Sequence, residues 1–188
     1  MFFKNYFLQE KIKQNSYFIW NNQKKDIQVI KKFKVLDLKL IIGVDKQKEI
    51  LINNTTNFAE GNFTNNALLW GARGNGKSSL IKSVFHNLIS THKNLKLIQL
   101  NKNNIFDIEC IYSILGKYNN YRFIIFIDDL SFEKIDSDYK IIKSTLDGSI
   151  QHQPTNILLY VSSNRRHLMP RDMIDNERSS AIHTDESV

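Results

Sequence analysis

Four runs of mainly apolar residues, NALLW (66–70), LKLIQL (95–100), RFIIFI (122–127) and NILLYV (156–161), punctuate this chain from residue 66 onward. They constrain its fold more than any other feature. Runs that are continuous rather than alternating suit strands covered on both faces. Between them the period changes. Leu80, Ile81, Val84, Phe85, Leu88 and Ile89 share one helical face within 77–90. Ile108, Ile111, Tyr112 and Leu115 form a second stripe, with Gly116 placed to end it. Tyr139, Ile142 and Leu146 form a third, with Gly148 as its C-cap. Strand alternating with helix predicts an α/β protein with a parallel sheet and crossover helices.

Upstream, Asp45 is placed to cap a helix running to about Glu60, with Val44, Leu51 and Phe58 inward. FIW (18–20) and DIQVI (26–30) read either as short strands or as an extended strap over the core. Residues 1–40 form a basic N-terminal segment, 41–176 the α/β core, and 177–188 a polar tail expected to be disordered.

At the first strand–helix junction stands Gly71-Ala72-Arg73-Gly74-Asn75-Gly76-Lys77-Ser78, which fits G-x-x-x-x-G-K-[ST]. Its glycines allow a tight turn whose N–H groups face inward as an anion nest. The helix beginning near Lys77 and running through Ser79 adds its free N–H groups and positive dipole end. Lys77 is predicted to reach the β and γ phosphates of ATP, and Ser78 to place its hydroxyl on Mg²⁺. The required context, a strand before and an amphipathic helix after, is present.

The strand FIIFIDD (123–129) ends in two carboxylates, where open α/β sheets bind ligands. Asp128 is the predicted Mg²⁺-holding acid. Asp129 occupies the place where a glutamate often positions the attacking water. One methylene less reach displaces that base by about 1 Å, which can cost on the order of 10²-fold in rate. Glu133 is the alternative base. Asn164, at the tip of the strand ending in VSSN, is placed to orient water between Asp128 and the γ-phosphate. Arg165 and Arg166 follow and could face nucleotide, a neighbouring subunit or nucleic acid; the sequence leaves these open.

Composition narrows the rest. The chain has 188 residues and a net charge of +7. Residues 1–40 carry nine lysines against Glu10, Asp26 and Asp37. These lysines form no dense patch interleaved with aromatics, which disfavours a nucleic-acid footprint there. The single cysteine, Cys110, lies in an apolar helical stripe and reads as core. The five histidines lack metal-ligand spacing. No stretch of about 18 apolar residues could span a membrane, and the opening MFFKNYFLQEKIK lacks the apolar stretch and cleavage site expected of a signal peptide. A cytoplasmic location is expected.

With these motifs in this order the chain resembles an AAA+ ATPase. GVDKQKEIL (43–51), NNALLWGARGNGKSSL (65–80), FIDDLSFE (126–133), LDGSI (146–150) and LLYVSSNRRHLMP (158–170) resemble a bacterial AAA+ family classed as domain of unknown function 815. The resemblance covers about Phe18 to Asn176. It implies a P-loop NTPase of the ASCE division with strand order 5-1-4-3-2, and nucleotide held near Ile42, Gly43 and Val44. It also implies Asn164 as sensor 1, an Asp-Asp pair as a family trait, and homo-oligomeric full-length members.

An AAA+ module also needs a fifth strand beside the P-loop strand, an arginine finger and a helical lid. None follows Asn164 here, so the sequence reads as cut short. The P-loop strand is then expected at a sheet edge, prone to aggregation, and hydrolysis is expected to be impaired. Three functions are weighed. The first is ATP/Mg-dependent remodelling or loading of an unknown protein or nucleic-acid partner. The second is a non-hydrolysing nucleotide-binding or interaction fragment. The third is a nucleic-acid adaptor like the helicase loaders.

Overall fold

The computed structural model describes residues 2–131, 140, 142–144 and 153–164. Strands β1 (Tyr17–Asn21), β2 (Asp26–Val29), β3 (Ala67–Trp70), β4 (Leu95–Leu100), β5 (Arg122–Ile127) and β6 (Ile157–Ser163) form one sheet in the order β2-β1-β4-β5-β6-β3. The pairs β1–β4, β4–β5, β5–β6 and β6–β3 are parallel, and only the β1–β2 hairpin is antiparallel. All four apolar runs are strands. Their order, β4-β5-β6-β3, reproduces the 2-3-4-1 portion of the implied arrangement. Among the described residues β3 stands at the edge.

Helices cover both faces. Alternate residues of β5 and β6 divide between two cores, as the two-residue period of a strand requires. Phe123, Ile125, Ile127, Leu159 and Val161 pack with Ile12 of α1 (Phe2–Gln14) and with Ile108, Ile111 and Leu115 of α4 (Ile108–Leu115). Ile124, Phe126, Leu158 and Tyr160 pack with α2 (Asp45–Ala59) and α3 (Lys77–Leu88). Each fully buried Phe or Ile contributes about 1.5–3 kcal/mol. The central strands therefore form a rigid shelf whose C-terminal tips carry Asp128 and Asn164.

Two local readings are refined. Asp45 is the first residue of α2 rather than its cap; Val44 holds the cap position and offers no side-chain hydrogen bond. An acid in the first turn still favours the helix dipole. Gly116 does end α4, but in ordinary right-handed geometry. A β-carbon there would stand 2.7 Å from the Tyr112 carbonyl oxygen and 2.8 Å from Pro154 Cγ. Close packing, not a left-handed turn, requires glycine. Ile142 is helical and buried, whereas Tyr139, Leu146, Gly148 and the tail 177–188 lie outside the described residues.

FIW and DIQVI are strands rather than a strap. The hairpin they form extends the sheet beyond β4. Trp20 Nε1 donates to Asp107 Oδ2 at 2.7 Å, and Lys25 Nζ to Asp107 Oδ1 at 2.5 Å. Asp107 leads into α4, so the hairpin is tied to the turn that follows β4.

Candidate nucleotide site

The loop leaving β3 needs its glycines for conformation rather than for space. Gly74 and Gly76 have φ of +87° and +73°, a left-handed region that side chains disfavour, yet an added β-carbon at either would touch nothing within 4 Å. Gly76 is the N-cap of α3, and the first intrahelical bond runs from Leu80 N to Gly76 O at 2.8 Å. The N–H groups of Lys77, Ser78 and Ser79 precede that bond and have no intrahelical acceptor. They stand at the positive end of the helix dipole, as an anion site requires.

Side chains from three elements meet over this loop. Lys77 Nζ donates to the carbonyls of Gly71 and Ala72, at 2.8 Å each, and to Asn164 Oδ1 at 3.1 Å. Asp128 follows β5 directly, one strand removed from β3 because β6 lies between. Ser78 Oγ donates to Asp128 Oδ1. Asn164 follows β6, and its Nδ2 donates to Asp129 Oδ1. Asp129 adopts a left-handed φ of 54°, and its carbonyl oxygen accepts from Lys102 Nζ at 3.4 Å. Arg73, Lys77, Ser78, Asp128, Asp129 and Asn164 are among the residues lining a cleft of about 320 Å³.

The predicted P-loop, both aspartates and Asn164 are thus brought together. Ile42 and Gly43 are not among the residues lining this cleft. They lie in the loop before α2, with Ile42 82% exposed and Gly43 at φ +77°. Glu133, Arg165 and Arg166 fall outside the described residues. Sequence reasoning missed Ser162, which also lines the cleft. Its signal was a hydroxyl where the apolar run ILLYV turns polar, two residues before Asn164 and so on the same strand face.

The donor set fits a hard cation. A hydroxyl and carboxylate oxygens converge beside a phosphate-sized nest, and Mg²⁺ is typically held by one or two carboxylates together with substrate phosphates. Ser78 and Asp128 would hold it. Such an ion would supply charge neutralisation at the β and γ phosphates.

A glycine nest on a helix N-terminus, with paired acids two strands away across an intervening parallel strand, defines an α/β P-loop fold of the AAA+ arrangement. More narrowly, the chain belongs to the family described as "Protein of unknown function (DUF815)", which it matches over residues 13–188. No curated protein matches it in sequence. Similar solved structures include a variant of RuvB from Thermotoga maritima, at 18% identity and TM-score 0.48, covering 74% of this chain and 44% of that one. They also include PCH-2 of C. elegans, at 16% identity and TM-score 0.49, covering 70% and 38%. A DnaC helicase loader is similar at 13% identity and TM-score 0.45, covering 78% and 81%. The chain therefore spans less than half the length of the first two.

Proposed function

We propose that this chain is an AAA+-type module that binds ATP with Mg²⁺ and couples it to remodelling or loading of a macromolecular partner, protein or nucleic acid. The observation that carries the reading is the convergence of Lys77, Ser78, Asp128 and Asn164 on one cleft beside the glycine nest. In this reading the loop amides and Lys77 hold the phosphates, and Ser78 and Asp128 hold the metal. Asp129, with Glu133 as the alternative, orients the attacking water together with Asn164. Ile42, Gly43 and Val44 border the base. The core spans 41–176, and full-length members act as cytoplasmic homo-oligomers.

Turnover by this chain alone is expected to be slow. The shorter reach of aspartate supports this, as does the bond from Asn164 that occupies Asp129 Oδ1. The same bond favours a second reading, a nucleotide-binding module that does not hydrolyse. Calorimetric titration with ATP and Mg²⁺, followed by a phosphate-release assay, separates the two. Binding that is lost in Lys77→Ala, with little phosphate released, is the expected result. Absence of binding, or binding indifferent to Lys77, overturns the nucleotide reading; rapid release abolished by Lys77→Ala overturns only the slow-turnover clause.

A further inference from the structure

The P-loop pattern assigns no role to Ser162, yet this side chain touches both acids of the site. It lies on β6 and is 1% exposed. Its Oγ donates to Asp128 Oδ1 at 2.6 Å, accepts from the Asp129 backbone N–H at 2.9 Å, and stands 3.3 Å from Ser78 Oγ. A hydroxyl has one proton and two lone pairs. Ser78 gives its single proton to Asp128 Oδ1. Ser162 gives its own to the same oxygen and receives the Asp129 N–H on a lone pair. The proton count closes with every donor used.

Two consequences follow. Asp128 Oδ1 is gripped by two hydroxyls from different elements, α3 and β6, so its carboxylate cannot rotate without breaking both. The Asp129 amide is pinned where the backbone takes its left-handed turn, at φ 54°. That turn aims the Asp129 carboxylate at Asn164 rather than along the strand. We propose that Ser162 is a positioning residue that locks the metal-holding acid and the water-orienting acid into one unit. Its neighbour Ser163 makes the contrast. Its hydroxyl donates to the Leu130 carbonyl at 2.7 Å, and one step along a strand sends it to the opposite face.

The inference rests on the nucleotide reading above, and its test has one arm that does not. In the whole chain, free of metal and nucleotide, amide hydrogen exchange at Asp129 is followed by NMR in wild type, Ser162→Ala, Ser162→Cys and Ser163→Ala. Exchange at Asp129 should rise about tenfold or more in both Ser162 variants, since a hydrogen bond to a buried group is lost, and should stay at the wild-type rate in Ser163→Ala. The thiol of Ser162→Cys keeps the volume but is a weak donor, so it reports on the bond even if the alanine variant folds poorly. The second arm measures ATP affinity by calorimetry with and without Mg²⁺. Metal-free affinity should remain near wild type, while the strengthening by Mg²⁺ should fall roughly 10- to 100-fold in the Ser162 variants. Unchanged Asp129 exchange overturns the lock, and unchanged Mg²⁺ dependence overturns its role toward the metal. Wild type that binds no ATP overturns the nucleotide reading instead, and the exchange arm still decides whether the lock exists.

Discussion

Replacing Lys77 with alanine should separate the lysine's place in the fold from its place in the site. In the structure its ammonium meets the carbonyls of Gly71 and Ala72 and the side chain of Asn164. The side chain is only half-buried, so the freed carbonyls can return to water. The cost to folding should therefore be small, about 0.5 kcal/mol. Toward ATP the same ammonium would make charge-assisted bonds worth ~1.5–3 kcal/mol each. Losing about 3 kcal/mol weakens binding on the order of 100-fold.

A thermal-shift titration reads both effects together. At a ligand concentration near 100 Kd, wild type gains about 2.7 kcal/mol. For a chain of this size each kcal/mol moves Tm by about 2–4 °C, so the expected shift is about 5–10 °C. In Lys77→Ala the same ligand sits near Kd. The gain drops to about 0.4 kcal/mol, a shift of roughly 1 °C. Two results would refute the reasoning. One is a full ligand shift in the variant. The other is a ligand-free variant that melts many degrees lower, which would make Lys77 a fold residue.

Three further outcomes follow from the packing. Asp107→Ala should cost about 2–3 kcal/mol, because the buried Trp20 indole N–H loses its acceptor; Asp107→Asn should recover most of this in chemical denaturation, since the half-exposed Lys25 pair adds little. Gly116→Ala should lose about 1–3 kcal/mol from overpacking against Tyr112 and Pro154, measured as a lower Tm. Burial, helped by Lys93, lowers the pKa of Lys96 from 10.5 to about 8. The unfolded chain then binds more protons between those values, so stability should rise with pH from about 8 toward 10.5. Lys96→Met should flatten that rise in melts at about pH 7 and about pH 9.5. Tyr17, raised to about 12 by burial, acts in the opposite direction and only above about pH 10.

Much of the site was legible because its parts announce themselves locally. Glycine spacing and a following lysine prescribe the nest, and a strand that ends in acids prescribes the opposite wall. The helix of α4 was legible from its stripe, but the reason for Gly116 was not, because Pro154 comes from a distant turn. The hairpin at 17–29 was ambiguous for the same kind of reason. Short runs such as FIW carry no decisive period, and what makes them strands is the edge of β4, where Phe18 pairs with Ile98 far along the chain.

The sequence by itself determined the alternation of buried strands and covering helices, the glycine nest at the start of α3, and which residues, Lys77, Ser78, Asp128 and Asn164, stand at the cleft beside it. These depend on periodicity and on backbone preferences that act over a few residues. Tertiary structure alone decided how those residues engage one another. Ser78 meets Asp128 across 50 residues of chain, Lys77 meets Asn164 across 87, and Ser162 reaches Asp128 across 34. Such contacts exist only once strand order is set, because the parallel pairing of β5 with β6 brings the tips of separate strands to one edge. No local pattern encodes the direction in which a hydroxyl at one tip gives its proton.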